Sequence, residues 1–286
     1  ALQIMLDKGN DLDWFQSPFI ISLALIAFIF LTILVIWEWY HPTPVVNVKL
    51  FLNKNFSIGA LSITVASIAF FASVVVIPLW LQNYMGYTAL DSGIATSTLG
   101  LSILFTAPIL GSILNNLDAR KVVVFGFVLF SITAILTGNY PPDITASYIA
   151  GSRFLTGIGL GIFFIPLNTI TLSDIPPEEL AGASGLYNFT RNIGNSFGTS
   201  LAINYWNNRI SMHHQDIVSA INVGNPNFQS YINHFSSPLH MKLEMINELI
   251  TQQSALMGVN DIIIGSGIMI LLLIPLIFLA RRPIVK

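Results

Sequence analysis

The sequence contains no cysteine and very little charge. Among its 286 residues, Asp, Glu, Lys and Arg together make up 9%. Without cysteine there is no disulfide framework, no thiolate metal ligand and no thiol nucleophile. Soluble domains carry roughly 25% charged residues; this chain instead has a hydrophobic content of 53% and a mean hydropathy of +0.71, which indicate an integral membrane protein. The net charge of −2 offers no basic surface for nucleic acid.

Long apolar runs are abundant instead. Seven runs are of the roughly 20 residues that a helix needs to cross a bilayer. They lie at about 18–39, 56–82, 89–114, 121–138, 144–172, 181–206 and 262–280. A segment in lipid must satisfy its own backbone hydrogen bonds, so each run is predicted to be a helix. The sequence therefore predicts an all-α polytopic membrane protein with seven transmembrane helices.

Lysine and arginine are distributed unevenly between the loops. If the C-terminus is cytoplasmic, that side holds seven of the twelve, among them Lys54, Arg120 and Lys121, and the other side holds three. Because cytoplasmic loops are enriched in Lys and Arg, we expect this orientation. The remaining two, Arg153 and Arg191, lie within apolar runs, whereas no acidic residue lies near the middle of a run.

Arg191 lies in the middle of the sixth run, within the stretch GLYNFTRNIGNSFGTS. At 100° per residue, one narrow sector of this helix holds Ser184, Asn188, Arg191, Asn195, Gly198 and Ala202. An arginine at the bilayer centre costs ~2.5–3.5 kcal/mol on insertion scales, so it needs a polar environment. Two interpretations follow: Arg191 lines an aqueous cavity and meets substrate, or it locks helices together by bonding backbone carbonyls.

The fifth run contains the second arginine. Arg153, Gly157 and Gly161 recur every four residues, and glycines at this spacing allow helices to approach closely. Arg153 also lies nearer the external end, where its long side chain is expected to extend to the membrane interface. Pro166 is predicted to kink this helix. Asn168, beyond the kink, either lines a cavity or bonds backbone groups that the kink frees.

Two patterns suggest chemistry that their context excludes. The stretch GNSFG at 194–198 matches the nucleophile motif G-x-S-x-G, but that motif requires a strand, a sharp turn and a helix. Here it lies inside an apolar run. His213 and His214 are adjacent, so they point about 100° apart on a helix, and no spaced carboxylate completes a metal site. We therefore expect no enzymatic activity, no metal and no cofactor.

A long polar segment separates the last two runs. It covers 207–261, and we expect it to be an external loop, either a solvated connector or a docking surface for an external partner. Its stretch LHMKLEMINELITQQSALM has the spacing of an amphipathic helix. At the other end, the sequence begins with Ala1 in what reads as an apolar segment already under way, so we expect a fragment or a processed chain.

Four stretches, taken in order, resemble a known transporter family. They are LQIMLDKGNDLDWF, LQNYMGYTALDSGIA, GSILNNLDARKVV and IPPEELAGASGLYNFTRNIGNSFGTSL. They are similar to the C-terminal half of EmrB-type (EmrB/QacA) drug:proton antiporters, a 14-helix branch of the major facilitator superfamily. The resemblance covers nearly the whole chain. It implies the end of a preceding helix and an external loop at 1–17, a linking transmembrane helix at 18–39, five helices of the six-helix C-terminal bundle at 56–206, and the last helix with a cytoplasmic tail at 262–286.

One of these stretches resembles a degenerate copy of the cytoplasmic loop motif of the superfamily. Gly111, Arg120 and Lys121 match the motif in GSILNNLDARK. Asn115 and Asp118 stand where the fuller motif has its aspartate and second glycine. The resemblance implies a role in helix packing or gating for the matching residues. Asn115 and Asp118 differ from the motif at the positions that concern its gating charge pair.

A second stretch resembles the Asn-x-x-Arg motif of the family. It covers Asn188 and Arg191, in a helix that the resemblance implies to line the central substrate cavity. Tyr187 and other aromatic side chains would give this cavity apolar surface for amphipathic organic compounds. The resemblance therefore implies a proton-coupled multidrug efflux transporter of the bacterial inner membrane, working by alternating access with an N-terminal half absent from this chain. A periplasmic adaptor and an outer-membrane channel are further partners that it implies.

Proton coupling is expected to depend on residues outside the chain. Arginine effectively never deprotonates, and we expect no buried carboxylate or histidine here to carry a proton. The resemblance implies that the family's coupling acids lie in helices outside this chain. Two alternatives stay open: a proton-coupled uptake transporter of the same fold, and a truncated remnant that transports nothing and acts as an interaction module.

Overall fold

The computed structural model describes residues 1–9, 12–41, 47–114, 117–221, 228 and 238–281, and all regular elements in them are helical. The main helices are α1 (Leu2–Lys8), α2 (Pro18–Tyr40), α3 (Lys54–Tyr84), α4 (Ala89–Ile113), α5 (Ala119–Thr137), α6 (Ala146–Leu172), α7 (Leu180–Ala220), α8 (Leu239–Leu271) and α9 (Ile274–Phe278). The prediction of an all-α protein is confirmed.

Polar side chains mark where three helices begin. Asn53 accepts hydrogen bonds of 2.9 and 3.1 Å from backbone N–H groups in the first turn of α3. Thr88 does the same for α4 at 3.2 Å, and Asp118 for α5 at 3.1 Å. Because the first N–H groups of a helix have no partner within it, such capping stabilises the start of each helix.

Within the described residues, six helical segments are long and apolar enough to cross a membrane. They are Pro18–Tyr40, Lys54–Tyr84, Ala89–Ile113, Ala119–Thr137, Ala146–Leu172 and His240–Phe278. The seventh predicted span, 181–206, lies in α7, which is a continuous helix of 41 residues. The asparagines and Arg191 lower the hydropathy of α7, so it is not among the six. The sequence had predicted seven spans because it counted this helix.

The centre of the bundle is formed by α3, α5, α6 and α8. The rings of Phe127 and Phe163, from α5 and α6, meet edge to face with centroids 4.8 Å apart. Trp80 of α3 is fully buried and stacks on Tyr140. By contrast, α2 and α4 expose many large apolar side chains, such as Phe28 and Leu104. Exposed apolar faces of this kind are suited to contact with lipid or with another apolar surface.

Glycines allow several pairs of helices in the described part of the bundle to come into backbone contact. A Cβ atom added to Gly159 of α6 would lie 2.8 Å from the backbone nitrogen of Phe130 in α5. A Cβ atom at Gly198 of α7 would lie 2.6 Å from the carbonyl oxygen of Ile68 in α3. Small residues that allow such close approach are a common means of packing helices in membranes.

The segment 207–261 is helical at both ends, so the expectation of one long loop is wrong in extent. α7 continues to Ala220, and α8 begins at Leu239. The predicted amphipathic helix forms the first part of α8 and runs without interruption into the last predicted span. The physical reason is that no proline interrupts the chain between Pro238 and Pro275, while apolar positions such as Leu256 are buried against the bundle.

Candidate functional site

Arg191 lies on the side of α7 that faces α6. The carbon at the centre of its guanidinium is 5.5 Å from the centroid of the Phe164 ring of α6. The side chain is half-buried, and within the described ranges no carboxylate forms an ion pair with it. A cation over an aromatic face gains ~0.5–2 kcal/mol. The structure thus places a fixed positive charge between α6 and α7, held by a ring rather than by a counter-charge.

Two neighbours of Arg191 in the predicted site differ in burial. Tyr187 is 2% exposed, and its hydroxyl oxygen has no hydrogen-bond partner among the residues described. Asn188 is exposed, and its amide donates to the carbonyl oxygen of Ser184 one turn earlier at 2.9 Å. Asn188 therefore uses its donor within its own helix, whereas Tyr187 packs into the core.

The predicted stripe on α7 does not form one surface. Gly198 and Ala202 are buried, with Gly198 against α3, whereas Arg191 reaches α6. Asn195 faces a third neighbourhood, formed with α1 and α2. Its amide donates weakly to Asn192 at 3.4 Å, and its side-chain oxygen is buried without a partner in the part of the chain described.

A cavity of about 860 Å³ lies between α1, α2 and α7. From α7 it is lined by Phe189, Asn192, Ile193, Asn195 and Ser196, and from α1 and α2 by mainly apolar side chains such as Leu6, Ile26, Phe30 and Leu34. The volume falls within the roughly 300–1,000 Å³ typical of small-molecule sites. Sequence reasoning missed this cavity because it depends on α1 packing on α7, where the Ser200 hydroxyl donates to the Leu6 carbonyl oxygen at 2.7 Å. No local pattern in the sequence indicates that contact.

Asn168 and Pro166 take different positions on α6. Pro166 is buried, and α6 continues past it to Leu172. Asn168 is exposed, and within the described residues no hydrogen bond joins it to Arg191 or to the other predicted site residues on α7. The neighbouring Thr169 bonds a backbone carbonyl in its own helix, that of Ile165, at 3.3 Å.

α6 packs on α4 through its small residues. A Cβ atom added to Gly157 would overlap the Ser102 side chain and the Leu99 carbonyl oxygen. One added to Gly161 would lie 3.1 Å from Cβ of Thr106. Both glycines are buried, so a larger residue at either position would separate the two helices.

Arg153 is enclosed by the bundle. Its side chain is 2% exposed, so the expectation that it extends to the membrane interface is wrong. Its Nη1 atom is 3.4 Å from the hydroxyl of Ser73 in α3, and its Nε atom is buried with no partner in the described residues. The side chain is instead directed towards α3, and residues of α3 and α4 surround it.

The loop-motif residues meet the opposite end of the chain. Two nitrogens of the Arg120 guanidinium, Nε and Nη2, donate to the two carboxylate oxygens of Asp118 at 3.2 and 3.0 Å. The third nitrogen, Nη1, donates to the Ala280 carbonyl oxygen at 3.0 Å. Gly111 is exposed near the end of α4, and Lys121 is exposed at the start of α5. Asn115 lies outside the described residues. A charge pair is therefore present at this loop, formed by Asp118 at a position where the fuller motif has glycine.

Among the described residues, one carboxylate and one histidine are buried, which corrects the expectation that there are none. Glu38, near the end of α2, is 7% exposed, and His213 in α7 is 8% exposed. The His213 ring nitrogen Nε2 lies 2.7 Å from a carboxylate oxygen of Asp261 in α8, and Nε of Arg209 donates to the same oxygen at 2.6 Å. Arg209 lies beyond the predicted span 181–206, and this hydrogen bond raises its pKa. Sequence reasoning missed the cluster because α7 and α8 extend into the segment expected to be a loop.

Comparison with known proteins identifies the family. The family profile of the Major Facilitator Superfamily matches residues 5–199. The chain belongs to this superfamily of multi-pass membrane transporters, which supports the interpretation that it is part of a transporter and not of an enzyme.

Within the superfamily, the chain is similar to drug-export proteins. It is 37% identical to the multidrug export protein EmrB of Escherichia coli (strain K12) over 288 residues, 99% of this chain and 56% of EmrB. It is 37% identical over 287 residues to the probable multidrug resistance protein EmrY of the same strain, with the same coverage of 99% and 56%. It is 32% identical to the fatty acid resistance protein FarB of Neisseria gonorrhoeae, again covering 99% of this chain and 56% of FarB. The resemblance to EmrB-type transporters is confirmed, and the chain spans about half the length of the curated relatives it matches.

Proposed function

We propose that this chain forms the C-terminal bundle of a proton-coupled multidrug efflux transporter in the bacterial inner membrane. The transporter would export amphipathic organic compounds by alternating access, together with an N-terminal half that completes the cavity. The similarity along 99% of this chain to EmrB, a multidrug export protein, and to the resistance proteins EmrY and FarB supports an export function. Export is favoured over uptake for the same reason.

The observation that carries the proposal is the fixed charge of Arg191 between α6 and α7. It is half-buried, has an aromatic ring on one side, and forms no ion pair within the described ranges. Substrates that are partly apolar and carry a polar or negative group would complement such a surface. Asn188 beside it and the exposed Asn168 on α6 add polar groups without charge.

Proton coupling in this proposal belongs to acidic residues of the N-terminal half. Arg153 and Arg191 cannot release a proton at physiological pH. Glu38 lies near the end of the linking helix α2, and His213 near the end of α7, so neither is at the middle of a span. We therefore assign these two groups no part in carrying protons through the membrane.

A periplasmic adaptor, with an outer-membrane channel, would dock on the end of the bundle formed by α7 and α8. Exposed apolar side chains there include Met212, Met241, Met245 and Leu249. Methionine is flexible and polarisable and suits contact surfaces that adapt to a partner. This placement takes the C-terminus to be cytoplasmic.

The proposal is tested by efflux of a fluorescent amphipathic dye from cells lacking their own exporters. The chain expressed alone should insert without lowering dye accumulation, and co-expression with an N-terminal half should restore efflux that an uncoupler abolishes. Dye transport in everted vesicles then gives the direction of transport. Accumulation inside everted vesicles supports export, whereas loss of dye from them supports the uptake alternative. If co-expression restores no transport in either direction while both halves insert, the remnant interpretation is correct.

A further inference from the structure

Arg153 lines a second cavity, of about 210 Å³, between α3, α4 and α6. Besides Arg153, its wall includes Phe70, Ser73, Ile77, Thr96 and Gly100. The volume is roughly seven times the ~30 Å³ that one water molecule occupies in the liquid. The cavity therefore has room for an acidic group with a small apolar body.

The charge of Arg153 is buried in this cavity without compensation. The side chain is 2% exposed, and no carboxylate lies within ion-pair distance of it in the residues described. Its Nε–H has no acceptor there, and its contact with Ser73 is long, at 3.4 Å. An unpaired charge in a medium of low polarity is costly, and intramembrane arginines with this property mark functional sites.

We propose that this cavity is a subsite that binds the carboxylate of an amphipathic organic acid. The planar guanidinium presents paired donors that match the two oxygens of a carboxylate, and such charge-assisted bonds are about twice as strong as neutral ones. The hydroxyls of Ser73 and Thr96 also line the wall, where they donate to the backbone carbonyl oxygens of Phe70 at 2.9 Å and Ser92 at 2.8 Å, so Arg153 is the charged donor of the site. Phe70 and Ile77 provide apolar surface for the body of the molecule.

The subsite is distinct from the face formed by Arg191. Arg191 contacts the Phe164 ring and does not line the smaller cavity, whose walls come from α3, α4 and α6. The identification of the bound acid as a substrate rests on the proposed function. Binding of the anion can be measured without transport. Its test therefore measures binding alone.

The test uses sodium benzoate and benzamide, which have the same shape but differ in charge. Both are titrated by calorimetry into the full-length protein that carries this chain, in detergent and in a buffer free of chloride. We expect saturable binding of benzoate and binding of benzamide that is weaker by ~10-fold or more, because charge-assisted hydrogen bonds contribute more than neutral ones. Equal affinity for the two probes, or no binding of benzoate, would overturn the proposal.

Variants then locate the site. Arg153→Gln should weaken benzoate binding by ~10-fold or more and leave the weak benzamide affinity unchanged. The melting temperature without ligand should not fall, since an uncompensated charge has been removed. If Arg191→Gln abolishes benzoate binding and Arg153→Gln does not, benzoate binds at the other face and the proposal is wrong.

A second variant tests the cavity without changing the charge. Gly100 lies in the cavity wall, and a Cβ atom added there would meet no atom of the described residues within 4 Å, so Gly100→Leu should narrow the cavity without disturbing the fold. Benzoate binding should be lost in this variant while the melting temperature is retained. Unchanged binding in a folded Gly100→Leu protein contradicts the subsite, and this result can be obtained even if Arg153→Gln fails to fold.

Discussion

Asn55 and Arg281 exchange hydrogen bonds although 226 residues separate them along the chain. The backbone N–H of Arg281 donates to the Asn55 side-chain oxygen at 2.7 Å, and the Asn55 amide donates back to the Arg281 carbonyl oxygen at 3.4 Å. The same amide donates to a carboxylate oxygen of Asp174, after the end of α6, at 2.8 Å. One fully buried side chain thus ties together the ends of α3, α6 and α9.

Replacing Asn55 is expected to destabilise the bundle. Asn55→Ala removes the partners of a backbone N–H and of a carboxylate, and a hydrogen bond of this kind contributes ~0.5–1.5 kcal/mol, with more where one partner is charged. We expect a clear fall in the melting temperature of the purified protein in detergent. Asn168→Ala is the matched control, since Asn168 is exposed, and it should melt as the parent does. A similar melting temperature for both variants would mean that the Asn55 bonds contribute nothing to stability.

The role of Arg191 is separated by comparing efflux with stability. Since no carboxylate pairs with Arg191 in the described part of the chain, Arg191→Ala should fold normally and abolish transport in the assembled transporter. Arg191→Lys keeps a positive charge and should retain part of the transport. The measurements are dye efflux and melting temperature for both variants. If both melt far below the parent, and a stabilising second-site mutation restores efflux to Arg191→Ala, Arg191 is a structural clamp.

The backbone contact between α5 and α6 predicts opposite effects at two glycines of one helix. Gly159→Ala places a methyl group 2.8 Å from the backbone of Phe130, which should cost ~1–3 kcal/mol of stability. Gly151→Ala, also in α6, meets no atom within 4 Å and should be neutral or stabilise the helix by up to ~1 kcal/mol. Thermal unfolding of the two variants under identical conditions checks the difference. A Gly159→Ala protein as stable as Gly151→Ala would show that α5 and α6 leave room for a methyl group between them.

The orientation of the chain is testable because it contains no cysteine of its own. Ser112→Cys, near the end of α4, should be protected from a membrane-impermeant maleimide in intact cells and labelled after the membrane is opened. Ser219→Cys, near the end of α7, should be labelled in intact cells. Both serines are exposed in the structure. The reverse pattern would place the α7 and α8 ends in the cytoplasm and remove the docking surface proposed for an adaptor.

The helices were predictable from the sequence, whereas their ends and contacts were less so. Apolar runs predicted the helix over 56–82 to within a few residues of α3, because lipid leaves the backbone no alternative to a helix. The amphipathic spacing from Leu239 onward indicated the first part of α8. The extension of α7 to Ala220 was missed because polar residues such as Gln215 are as compatible with an external helix as with a loop. Hydropathy does not distinguish the two outside the membrane.

The candidate site, too, could be predicted from the sequence only in part. The amphipathic pattern of α7 marked Arg191 and Asn195, but periodicity gives only the direction in which a side chain leaves its own helix. Which neighbour it meets depends on the packing of distant segments, so the pattern could not show that Arg191 reaches Phe164 or that Asn195 faces α1 and α2. Likewise, the sequence marked Arg153 as intramembrane, but its burial depends on how α3 and α4 pack against α6.

The glycine contacts between α3 and α7 also bear on how the protein enters the membrane. The channel that inserts membrane proteins releases segments into lipid according to their hydrophobicity. Arg191 and the surrounding asparagines lower the hydrophobicity of α7, so we expect α7 to enter lipid poorly on its own. α3 is synthesised well before α7 and presents the carbonyl oxygens of Thr64 and Ile68, against which Gly194 and Gly198 pack. We therefore expect α7 to leave the channel onto α3 rather than into bare lipid. The order of the helices along the gene is then itself a condition for correct biogenesis.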